Sequence, residues 1–178
     1  ITDAQGKKTA ECWRPAENPG TSVFLPKAHL WQGVEDPYLY TLVSTVVAVG
    51  RELDSFTCKT GIRTAAFDAD RGFLLNGGTV KIKGMCVHHD CGLTGAVGYR
   101  ESWERRLKEL KDMGCNGIRC SHNPPAPVLL DLCDELGFLV MDEAFDEWLL
   151  AKNKTDNYYS ESLAYGSSMF FTNHAKED

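Results

Sequence analysis

The sequence predicts a multi-domain chain in which antiparallel β structure is followed by parallel α/β units. Three observations predict it. Short β-rich runs broken by Pro and Gly fill the first third. From residue 73 onward, strand-like and helix-like text alternates at a spacing of about 30 residues, the mark of βαβ units joined by right-handed crossovers. Each strand-like run of that second part then ends in polar residues. In IRCSHNPP (118–125) two prolines, which cannot donate to a sheet ladder, stop the strand where Arg119, Ser121, His122 and Asn123 gather.

TSVFL (21–25), LYTLVSTVVAV (39–49) and ELDSFTCKTGI (52–62) read as strands, the last two joined at Gly50-Arg51 by a hairpin turn. So few strands make only a thin sandwich. FLLNGGTVKIKGMCV (73–87) reads as a hairpin turning at Asn76-Gly77-Gly78 and leading into a strand. RESWERRLKELKDMG (100–114) spaces Trp103, Leu107, Leu110 and Met113 as one helix face, with Ser102 as cap, Gly114 as stop, and Glu101, Glu104, Lys108 and Lys111 as the solvated face. CNGIRCSH (115–122) is a second strand, PPAPVLLDLCDELG (124–137) a helix opened by proline and closed by glycine, and FLVMDEAF (138–145) a third strand. From Leu149 the text is polar and aromatic without clear periodicity. A three-stranded parallel sheet leaves its edges open, so the sequence reads as an internal piece of a larger protein.

Of the 178 residues, 43% are hydrophobic and 25% charged, the composition of a globular chain able to bury a core. The net charge of -6 and a pI near 5.4, with scattered basic residues, argue against nucleic acid as a partner. No run approaches the ~18–20 apolar residues of a membrane span, so no membrane partner is expected either. Seven cysteines, an odd number in no regular framework, suit reduced thiols and a cytoplasmic location.

The polar strand ends are His88, His89 and Asp90, then Arg119, Ser121, His122 and Asn123, then Asp142, Glu143, Asp146 and Glu147. Parallel α/β folds bind ligands at the carboxyl ends of their strands, where the βα loops converge. The plainer reading makes His122 and Asn123 loop and turn residues, and Asp142 and Glu143 cap and surface residues. A metal reading uses Cys86, His88 and Cys91 with Cys120 and His122, at a spacing that matches no established zinc pattern. A Cys-His nucleophilic pair on the same residues has no cysteine singled out for activation.

GIRTAAFDADRGFLLNGGTVKIKGMCVHHD followed by WERRLKELKDMGCNGIRCSHNPPAPVLLDLCDELGFLVMDEAFDEW resembles the family 2 glycoside hydrolases, the group of β-galactosidases, β-glucuronidases and β-mannosidases. LWQGVEDPYLYTL resembles the family's segment before its barrel, so the likeness runs from about Leu30 to Trp148. The resemblance implies that residues 1–65 are the C-terminal part of an immunoglobulin-like β-sandwich. Residues 66–178 are then the N-terminal part of a TIM (β/α)8 barrel, with its first βα units.

The resemblance also assigns roles. His88 and His122 match histidines that line the sugar pocket, where an imidazole can both donate and accept as hydroxyls do. Asn123 follows as a further candidate, and Asp142 and Glu143 match a DE pair near the pocket floor. Glu147 matches a magnesium ligand of some members and stands as a metal candidate, although Leu149 takes the place of the accompanying His; the resemblance implies no required cofactor and leaves magnesium open. The acid/base Glu and the nucleophile Glu are expected downstream of Asp178, which leaves no catalytic residue in this chain. Asp142 and Glu143, neighbours on a strand, point to opposite faces and cannot easily flank one bond. The expected function is part of a retaining hydrolase of terminal β-glycosidic bonds, foremost a β-galactosidase, with a β-linked sugar and the remainder of the parent enzyme as partners. A homo-oligomer is compatible with the sequence. A β-glucuronidase, or a non-catalytic zinc-binding or interaction module, are the alternatives.

Overall fold

The structure is a computed structural model describing residues 1–15, 17, 20–147 and 174–176. Strands β1 (Tyr40–Ala48) and β2 (Arg51–Thr60) form an antiparallel ribbon, registered from Tyr40 opposite Thr60 to Ala48 opposite Arg51, with an irregularity between Val46 and Val47. β1 is rich in β-branched residues, which suit a pleated backbone, whereas β2 carries two, Thr57 and Thr60. The turn is Val49-Gly50, one residue earlier than the sequence suggested. Both residues take positive φ, 50° and 70°, as a two-residue hairpin turn demands. Thr2 exchanges two backbone hydrogen bonds of 2.9 Å with Thr41, laying the N-terminal residues along β1. The expected strand at 21–25 is not formed: TSVFL has no strand pairing, and Phe24 is exposed. A β-rich run is a strand only where a second backbone answers its N–H and C=O groups. Among the described residues before 65, regular strand structure is the β1–β2 ribbon.

β3 (Ala65–Asp68), β4 (Gly72–Leu75) and β5 (Gly78–Thr79) make a small antiparallel meander. β3 is an addition to the sequence reading, since AAFD has little strand character of its own. Its turn is closed by Asp68, whose carboxylate accepts from the backbone N–H groups of Asp70 (3.0 Å) and Arg71 (2.9 Å).

The parallel part is as expected in order. β6 (Gly84–His88), α1 (Arg100–Asp112), β7 (Gly117–Ser121), α2 (Pro127–Leu136) and β8 (Leu139–Met141) give a sheet in the order β6-β7-β8. α1 starts earlier than the sequence implied: its cap position is Tyr99, and Ser102 lies inside the first turn. Met113 sits at the C-cap and is exposed rather than in the core. Glu104 and Lys108 pair across one turn at 2.6 Å on the solvated face, whereas Lys111 leaves that face and donates to the Leu136 carbonyl at the end of α2 (3.0 Å).

Period-two alternation decides what faces the helices. Val87, Ile118 and Cys120 pack into a core with Trp103 and Leu107 of α1, Leu129, Leu132 and Cys133 of α2, and Phe138. The intervening residues Cys86, His88, Arg119 and Ser121 therefore turn to the opposite face of the sheet. Cys86 stands beside Arg119 and His88 beside Ser121 in the parallel register.

The N-terminal residues are anchored to this α/β body. Trp31 is 1% exposed and its indole N–H donates to the Asp134 carbonyl of α2 (3.0 Å). The Arg63 guanidinium lies 4.7 Å over the Trp31 ring and 3.9 Å from the Asp134 carboxylate. Asn76 donates to the Trp31 carbonyl (3.0 Å) and to Gln32 Oε1 (2.9 Å). Gly137, which ends α2 at φ 89°, touches Gly33 so closely that a Cβ there would lie 2.2 Å from the Gly33 oxygen.

Candidate functional site

Three strand ends deliver one cluster. β6 ends at His88, β7 at the Ser121-His122 peptide, which is cis, and β8 is followed by Asp142 and Glu143. Pro124 and Pro125 stop β7 and leave its terminal polar side chains outside the ladder. The rings of His88 and His122 stand edge to face, 5.6 Å apart at 82°.

Glu143 ties the cluster together. One carboxylate oxygen pairs with Arg119 Nε, and the other lies 2.9 Å from His122 Nδ1. Asp146 Oδ1 lies 4.0 Å from the same ring nitrogen. Arg119 spends its remaining groups nearby, with one terminal nitrogen 3.3 Å from His122 Nδ1 and the other 3.5 Å from Cys86 Sγ. Burial pushes the Glu143 carboxyl up, but hydrogen bonds from His122 and Arg119 outweigh it and hold the group below the usual carboxylate range. Glu143 is thus ionised at neutral pH and cannot serve as a proton donor.

The thiols divide sharply. The Arg119 guanidinium, with the Ser121 hydroxyl close by, lowers Cys86 below the ordinary thiol range. The Ser121 hydroxyl is itself buried, with no hydrogen-bond partner among the described residues. Burial pushes Cys120 up to about 11 and Cys133 up to about 12. All seven cysteines are free.

Of the residues the sequence nominated, His88, His122 and Glu143 come together. Asn123 and Asp142 do not join them: both are exposed, and neither side chain makes a hydrogen bond to a described residue. Asn123 instead borders a small cavity behind the site, of about 10 Å³, with His89, Trp103 and Ser121. Arg119, named by the sequence only among the polar strand ends, and Cys86, named only for a metal or nucleophilic pair, were given no role at the sugar site. The signal was present, because an arginine between the buried Ile118 and Cys120 must face away from the helices. Glu147 is 3% exposed, and Leu149 lies outside the described residues. Among the described residues no group of three or more His, Cys, Asp or Glu is placed to hold a metal ion. No helix among the described residues is long and apolar enough to cross a membrane.

A βαβαβ unit with polar residues at the carboxyl ends of its strands is the building block of α/β barrels and open α/β sheets alike, and residues 69–168 match the TIM barrel domain of the glycosyl hydrolases family 2. Residues 1–63 match a further domain described as glycosyl hydrolases family 2. The chain belongs to glycosyl hydrolase family 2. It is 48% identical over 170 residues, 90% of its length, to the β-galactosidase BoGH2A of Bacteroides ovatus, and spans 20% of that protein. It is 33% identical over 121 residues, 68% of its length, to a β-glucuronidase of Bacteroides fragilis, and spans 17% of it. A crystal structure of a family 2 member from Bacteroides cellulosilyticus superposes on 99% of the chain with a TM-score of 0.82 at 35% identity, and the chain spans 22% of that structure. The chain thus covers about a fifth of the length of these relatives.

Proposed function

We propose that the protein carrying this chain is a retaining glycoside hydrolase that cleaves terminal β-glycosidic bonds, and that it is a β-galactosidase. In this reading residues 1–65 supply the last strands of an immunoglobulin-like sandwich and residues 66–178 the opening βα units of the catalytic barrel. His88 and His122 contact the sugar, with Asn123 and Asp142 as further candidates by position. The observation that carries the reading is the pair of imidazoles at the ends of β6 and β7, 5.6 Å apart on the sheet face turned away from the helices. Two such rings can donate to and accept from neighbouring hydroxyls of one sugar.

Retention requires two carboxyl groups about 5–5.5 Å apart, one attacking and one first protonating the leaving oxygen. Glu143 is committed to Arg119 and His122 and held ionised, so it supports neither acid catalysis nor free attack. The two catalytic glutamates are accordingly expected downstream of Asp178, and the 178-residue chain alone binds sugar without turning it over. Galactose is favoured over glucuronate by the greater identity to a β-galactosidase than to a β-glucuronidase.

The test is nitrophenol release from nitrophenyl β-galactoside and β-glucuronide by the full-length protein and by the 178-residue chain, with His122→Ala in both. Hydrolysis of the galactoside by the full-length protein, abolished or strongly reduced by His122→Ala, is expected, with no turnover by the chain. Turnover by the chain itself would overturn the absence of catalytic carboxylates and move the search to residues 142–147. A full-length protein that cleaves only the glucuronide would replace the galactosidase reading.

A further inference from the structure

Among the described residues, four groups face the His122 ring. Glu143 Oε2 is 2.9 Å and Asp146 Oδ1 4.0 Å from Nδ1, a terminal nitrogen of Arg119 is 3.3 Å from the same atom, and the His88 ring stands edge to face. An ionised carboxylate only accepts hydrogen bonds. Were Nδ1 bare, its lone pair would meet that of Glu143 at 2.9 Å with no proton between them. The Arg119 terminal nitrogen that faces Nδ1 is a donor too, but it stands off at 3.3 Å against 2.9 Å for Glu143, so the shorter contact decides where the proton sits. The proton of the neutral ring therefore belongs on Nδ1. Glu143 thus has each oxygen engaged by a protein donor, Arg119 on one and His122 on the other.

We propose that Glu143 is a positioning residue rather than a sugar ligand: anchored by Arg119, it fixes the His122 proton on Nδ1, so that Nε2 on the far side of the ring accepts a hydrogen bond and selects a substrate hydroxyl that donates. The substrate part rests on the reading of His122 as a sugar-contacting residue; the tautomer does not. Which ring nitrogen carries the proton is set by the partner of the other, and a carboxylate behind an imidazole is an effective means of setting it. Sequence could not assign this role, because Glu143 lies 21 positions from His122 and 24 from Arg119.

The test uses the full-length protein labelled with 15N-histidine, the His122 signals being identified by their loss in His122→Asn. At neutral pH a protonated Nδ1 and an unprotonated Nε2 are expected. Glu143→Ala should release the ring toward the Nε2-protonated form and lower kcat/KM on the nitrophenyl galactoside about 10- to 100-fold. Glu143→Gln, whose amide oxygen still accepts from Nδ1–H, should keep the tautomer and recover part of the activity. A proton on Nε2 in the unsubstituted protein, in the neutral or the doubly protonated ring, would overturn the proposal. So would an unchanged tautomer in a folded Glu143→Ala protein. A full-length protein that cleaves no nitrophenyl β-glycoside would defeat the glycosidase reading, while the tautomer still stands or falls on the nitrogen signals alone.

Discussion

Arg119 organises the site at the level of single side chains. Its three nitrogens reach Glu143, His122 and Cys86, three residues that share no stretch of sequence. A planar fork with several donors in fixed directions suits such a junction better than a lysine would. One consequence is measurable without any substrate. At pH 7 iodoacetamide should label Cys86 before Cys120 and Cys133, because the thiolate is the nucleophile and only Cys86 has its thiolate stabilised by a guanidinium. Arg119→Gln should slow Cys86 labelling severalfold and leave exposed Cys12 as it was, read by peptide mass spectrometry. An unchanged Cys86 rate would mean the arginine contact does not act on the thiol. That His88, His122 and Glu143 would lie together was legible, because the ends of adjacent parallel strands converge. Asn123 and Asp142 satisfied the same criterion yet stay apart, since a strand end fixes a residue's position but not the direction of its side chain.

Elements formed where periodicity and stop signals agreed. The prolines after β7 and Gly137 at the end of α2 fall where the sequence placed them, because each acts through the local backbone, whereas α2 opens at Pro127, three residues after the expected start at Pro124. Errors arose where a neighbour decides. TSVFL had strand composition and no partner, AAFD had little and gained β4, and Ser102 had the right chemistry for a cap but the helix begins before it. The β1–β2 turn yields a prediction at this scale. Val49 is fully exposed and held at φ 50°, a left-handed conformation that a β-branched residue resists. Val49→Asn should stabilise the protein by about 1 kcal/mol, seen as a rise in Tm. A lower Tm would show that the valine makes a contact that outweighs its backbone conformation.

In the whole molecule, the connection between the N-terminal residues and the α/β body turns on Trp31. Its buried ring, its hydrogen bond to Asp134 and the Arg63 guanidinium above it join parts of the chain about a hundred residues apart (|i−j| of 103 for the hydrogen bond). Trp31→Ala removes a large buried side chain that its surroundings cannot fully replace. It should destabilise the protein by about 3–5 kcal/mol, measured from the denaturant midpoint at unchanged slope. A loss below about 1 kcal/mol would show that the anchor contributes little beyond surface contact.

By itself the sequence determined the order of strands and helices in the parallel part, the face of each strand that meets the helices, and the gathering of polar residues at the strand ends. Those follow from the period of the backbone, from proline and glycine, and from the need to bury apolar side chains, all of which act within a few residues. Only the tertiary structure decided that Arg119, Glu143, His122 and Cys86 form one network, that Lys111 caps α2, and that Trp31 meets Asp134. Apart from Arg119 with His122, three positions apart, these are contacts across 21 to 103 positions of chain. Their partners are chosen by the register of parallel strands and the packing of helices upon them, which no local pattern of residues records.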